Sequence, residues 1–98
     1  MGMNKERALE TAKELVRSPE IMMTHWQQFN HCNAWVSGCI KNRFFLIKSY
    51  QTIVGIVDDQ EADFFEIGKY SRTTSKQVTQ IYNSMFSDCT RHYIEGRV

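Results

Sequence analysis

The feature that most limits the fold is a block of apolar runs, WVSGCI, RFFLIK, TIVGIV and DFFEI, set between residues 35 and 67 and separated by polar breaks. Short runs rich in β-branched and aromatic residues are strands. The segment therefore predicts an antiparallel β-meander of three to four strands. Lys41-Asn42-Arg43 makes its first turn, Ser49-Tyr50-Gln51 a bend or second turn, and Asp58-Asp59-Gln60-Glu61 the last. The segment around Ser49 has an alternative reading, in which Phe44 to Val57 is one long strand bent across a bulge.

Helical spacing flanks the meander. Asn4 is placed to cap a helix whose inner face is Ala8, Leu9, Ala12, Leu15 and Val16. Ser18-Pro19-Glu20 then stops that helix and starts a second. The second carries Met22, Met23, Trp26 and Phe29 at spacings of three and four, of which Met22, Trp26 and Phe29 read as core, and it ends at Asn30-His31-Cys32-Asn33. After Tyr70 the apolar face is Val78, Ile81, Tyr82, Met85 and Phe86. YSRTTSKQ, Tyr70 to Gln77, reads as the strand-to-helix junction, with Thr74 and Gln77 in capping-box positions.

The expected fold is thus α+β: two N-terminal helices, an antiparallel β-meander of three to four strands, and a C-terminal helix packed on the sheet. At 98 residues one core is expected. The single domain 1–98 divides into a helical part (1–33), the meander (34–70), and the C-terminal helix and tail (71–94). Ile94-Glu95-Gly96-Arg97 spells a protease site used in recombinant expression, so the tail is expected to carry no function.

The longest mainly apolar run, Phe44 to Val57, is broken by Lys48, Ser49, Gln51 and Thr52 and is too short for a membrane helix, so no membrane partner is expected. The N-terminus reads as lacking a secretory signal, which places the protein in the cytoplasm. Cys32, Cys39 and Cys89 are odd in number and widely spaced, as buried thiols of a reducing compartment would be. A formal charge of +1 supplies no global field toward nucleic acid, so electrostatic partners must be sought in local clusters.

The densest cluster is DDQEADFFE, with carboxylates at Asp58, Asp59, Glu61, Asp63 and Glu66. It lacks the residue order and central Gly of a calcium loop. As an acidic hairpin it is the candidate partner-binding surface, able to imitate nucleic-acid phosphate; the plainer alternative is a solvated hairpin tip. Lys41, Arg43, Lys48, Arg72 and Lys76 are the candidate anion or nucleic-acid contacts, Arg72 and Lys76 standing beside a helix N-terminus. Cys89 and His92 are spaced as half of a zinc site, but His31 and Cys32 are adjacent and far upstream, so no metal or other cofactor is expected. No catalytic signature is complete, and no catalytic residue is assigned.

SYQT at Ser49 to Thr52, followed by IVGI, and YSRTTSKQ at Tyr70 to Gln77 together resemble a small uncharacterised domain family of phage and prophage proteins. Its pattern is an S-Y-x-T strand and a Y-S-x-T-T-S-basic junction, usually followed by His. Here Gln77 replaces that His. The resemblance covers about Phe44 to Phe86 and implies a phage-type origin and a bacterial host, without an activity. The expected function is a non-enzymatic protein that binds a host protein, such as an inhibitor of a nucleic-acid-handling defence enzyme of the anti-CRISPR or anti-restriction kind. A nucleic-acid-binding accessory module is the alternative. Oligomeric state is open, a homodimer included.

Overall fold

A computed structural model describes residues 3–68 and 72–98, and the side chains of Arg72 and Thr73 are also left aside. The elements in chain order are α1 (Lys5–Arg17), α2 (Pro19–Met23), β1 (Trp26–Gln28), β2 (Ala34–Ser37), β3 (Phe44–Ser49), β4 (Thr52–Asp58), β5 (Asp63–Ile67), α3 (Arg72–Met85) and β6 (Thr90–Ile94). The α+β class holds, with a richer sheet than expected. The described strands form one six-stranded sheet in the order β1-β2-β3-β4-β5-β6, antiparallel throughout except for the parallel β5/β6 pair.

The expected caps of the N-terminal helices are present. Arg7 N donates to Asn4 Oδ1 at 2.7 Å, and Ser18 both ends α1 and caps α2, its hydroxyl accepting from Glu20 N. Ala8, Ala12 and Leu15 of α1 are buried with Leu46, Ile56, Phe65, Ile67 and Ile94 on one face of the sheet. Val78, Ile81 and Phe86 are buried on the other, against Val36, Ile47, Val54, Val57 and Phe64. The sheet is therefore the middle of three layers. Apolar residues on both faces explain why β3, β4 and β5 read as nearly continuous apolar runs.

The meander's turns fall where expected. Lys41 and Asn42 take positive φ between Ile40 and Phe44, and Tyr50 (φ 55°) begins the tight turn between Ser49 and Thr52, which pair directly. The single-bent-strand alternative is thereby excluded, although the β3/β4 register does shift between Ile47 and Lys48.

Three expectations need correction. First, the second helix ends at Met23, and Thr24 leaves it in extended conformation. Trp26 instead pairs with Ser37 in β1. The apparent stripe is split: Met22 and Met23 are 86% and 88% exposed, Trp26 packs toward the α1 side, and Phe29 packs toward the α3 side. A short match to helical spacing had also fitted an extended strand, and the ladder offered by β2 decides between them.

Second, the segment expected to be C-terminal helix and tail also contains a strand. Residues 90–94 form β6, Ile94 is buried, and a Cβ on Gly96 (φ 156°) would come within 2.9 Å of Leu9 Cδ2 on α1. Third, α3 already runs from Arg72, so Thr74 and Gln77 lie inside the helix and not at its cap, and Gln77 Oε1 is buried with no hydrogen-bond partner among the described residues. Tyr70 and Ser71 of the expected junction lie outside the described residues.

Candidate functional site

The acidic segment does not form a single surface. Asp58 ends β4 opposite Phe44, so Arg43, one residue before Phe44, lies beside it. The guanidinium grips the carboxylate at both oxygens, Nε to Oδ1 at 2.9 Å and Nη2 to Oδ2 at 2.7 Å. Gln60 N and Glu61 N also donate to Oδ1, and the Asp58 side chain is 0% exposed. Burial pushes this carboxyl upward, but the Arg43 hydrogen bonds, the two N–H donors and the Arg43 charge outweigh it and hold it below the usual carboxylate value. The Asp58 hydrogen bond likewise raises the Arg43 guanidinium.

Two further carboxylates are engaged with β6. His92 Nε2 lies 2.8 Å from Asp63 Oδ1, its ring stacked on Phe65 with centroids 4.8 Å apart. Arg91 Nη2 donates to Glu66 Oε1 and to Thr79 Oγ1, each at 2.9 Å. Asp58 therefore cannot act as a contact residue in this fold, Asp63 and Glu66 are taken up by pairing, and Asp59 is the exposed carboxylate of the set. A solvated tip describes Asp59 but not its buried neighbour.

The basic residues are dispersed too. Arg43 is committed to Asp58, Lys41 and Lys76 are exposed at separate places, and the Arg72 side chain lies outside the described residues. Lys48 holds the most distinctive position, its Nζ 4.4 Å from the Trp26 ring centroid and 5.7 Å from that of Trp35. Such contacts follow from the register, which sets Trp35 opposite Lys48.

The cysteines are not the buried set expected: Cys39 is exposed, and Cys32 and Cys89 are half-buried. Local desolvation, then the Asp59 charge, raises the thiols of Cys39 and Cys89, which disfavours the reactive thiolate. Among the described residues no three His, Cys, Asp or Glu side chains are grouped as metal ligands.

The feature that sequence reasoning missed is the corner where α2 runs into β1. Met22 and Met23 project from the end of α2. Next to them in the chain, Trp26 opens the outermost strand. Ser18-Pro19 and Thr24, which bound a helix too short to bury a whole stripe, were the available signal.

The SYQT segment forms the end of β3 and the turn into β4, and Ser49 Oγ is buried without a hydrogen-bond partner among the described residues. Because β5 and β6 are parallel, α3 must run back between them. It therefore begins at the end of the sheet that holds the Ser49–Thr52 turn.

No protein-family model matches the sequence, and no match is found among curated proteins or solved structures.

Proposed function

We propose that this chain is a small non-enzymatic protein-binding module of the phage type its SYQT and YSRTTSKQ segments resemble, and that it acts by occupying a surface of a host protein. The observation that carries this reading is the nearly complete exposure of Met22 and Met23. Unbranched thioether side chains adapt to irregular apolar surfaces, and adjacent exposed apolar residues mark contact sites. The contact is therefore centred on the α2–β1 corner and not on the acidic hairpin, whose Asp58, Asp63 and Glu66 already have partners within the fold. A host defence enzyme remains the proposed target class, reached through apolar contact and not through imitation of phosphate.

The test is capture from bacterial lysate by immobilised wild type, Met22→Asp/Met23→Asp, and Asp59→Lys. The partner bound by wild type is expected on Asp59→Lys and lost from the double variant. Equal capture by all three would remove the corner from the interface.

A second reading is favoured by the Lys48 geometry. Half-exposed Trp26 and Trp35 with a cation between them offer stacking and charge to single-stranded nucleic acid. A low-salt gel shift that disappears in Lys48→Ala would favour it, and no shift with wild type would end it.

A further inference from the structure

The two edges of the sheet differ in how they are protected. β6 presents Thr-Arg-His-Tyr-Ile, with Arg91 and His92 held by carboxylates of β5, whereas β1 is Trp-Gln-Gln, with neither charge nor proline. Charged residues and prolines are the usual means of keeping an edge from pairing, so β1 is the edge left open to another strand.

Hydrogen-bond alternation identifies which groups β1 offers. Gly38 N donates to His25 O, and Phe29 N donates to Ala34 O, both at 2.9 Å. With the Gln27↔Val36 register between them, residues 25, 27 and 29 direct their backbone groups at β2. Trp26 and Gln28 consequently point their N–H and C=O groups outward, where they meet no backbone partner among the described residues. The outward set is symmetric about Gln27. An antiparallel second copy of β1 centred on Gln27 places Trp26 opposite Gln28 of the other copy and Gln28 opposite its Trp26, so every outward group finds its complement.

We propose that β1 pairs with β1 of a second copy of this chain, giving a two-fold homodimer with one continuous sheet. The contact is isologous, as closed dimers require. Gln27, exposed and on the axis, directly opposes its own copy in a non-hydrogen-bonded pair, where side chains approach most closely. Three residues make a short seam, so the association is expected to be roughly micromolar or weaker. It goes beyond the partner reading and does not depend on it.

The geometry makes Gln27 a charge test. Sedimentation velocity on wild type from about 10 μM to about 1 mM is expected to show mass rising toward the dimer. Gln27→Lys and Gln27→Glu should each stay more monomeric, because each sets like charges face to face. Their equimolar mixture should associate about five- to tenfold more tightly than either variant alone. Gln28→Pro removes one outward N–H, leaves the β2 ladder intact, and should weaken association as well. The proposal is overturned by wild type that stays monomeric at about 1 mM, by a mixture no tighter than its components, or by Gln28→Pro that dimerises like wild type. Restored pairing in the mixture shows that both charge variants are folded.

Discussion

The acidic segment from Asp58 to Glu66 and the methionine pair Met22-Met23 exchange the roles their compositions suggest. Carboxylates crowded at a hairpin read as surface, yet Asp58 is wholly buried and clamped by Arg43. Met22 at helical spacing reads as core, yet it and Met23 stand in solvent. Local composition records what a segment contains. Burial is set by what the rest of the chain brings against it, here Arg43 at one site and the short reach of α2 at the other.

The largest way to break this contrast is Asp58→Ala. Removing the wholly buried carboxylate leaves Arg43, itself about one-third exposed, and the Gln60 and Glu61 N–H groups without their acceptor, and about 2 kcal/mol of stability should be lost. Asp59→Ala, one residue on and exposed, should change stability by less than about 0.5 kcal/mol. Urea unfolding of the pair measures both. If Asp59 proved as costly as Asp58, the division of the hairpin into a buried end and a solvated tip would be wrong.

Acid sharpens the same point. The Asp58 carboxyl is lowered from its ordinary 3.8, so its contribution is fully present above that value and is lost as pH falls through the still lower folded-state value. Wild-type stability should therefore decline below about pH 4 more steeply than that of Asp58→Asn, which has no carboxyl to protonate at this site. Parallel declines in urea midpoints measured from neutral pH to about pH 2 would show that Asp58 carries no such linkage.

Much of the fold was legible because its physics is local. Asn4 and Ser18-Pro19 cap helices by contacts within a few residues. β3 to β5 declare themselves because layers cover both their faces. The edge strands were not legible. WQQ and TRHYI bury too few side chains to need an apolar pattern, and β6 reaches β5 only after the whole of α3. Once β6 was missed, the Arg91–Glu66 and His92–Asp63 partnerships were out of reach. The Arg43–Asp58 pair could have been found: the turn at Lys41–Arg43 and the turn at Asp58–Glu61 bring the start of β3 beside the end of β4, with opposite charges at that point.

A smaller effect tests the hairpin's outer pair. Glu66 and Arg91 meet at the surface of the β5/β6 ladder, with the guanidinium about one-third exposed. Solvent screens such a pair, so Glu66→Gln should cost about 1 kcal/mol or less. Added salt should narrow its difference from wild type in urea unfolding more than it does for Asp58, whose carboxylate is wholly buried where that of Glu66 is 13% exposed.

The smallest expected effect concerns the other half of the comparison. Because Met22 and Met23 bury so little, Met22→Asp/Met23→Asp should leave stability within about 0.5 kcal/mol of wild type. A pair belonging to the core would instead cost several kcal/mol through lost packing and buried charge. Near-identical urea midpoints would therefore separate an exposed corner from a misplaced core. A stable double variant is also what the binding experiment needs, since loss of capture then reports the missing surface and not an unfolded chain.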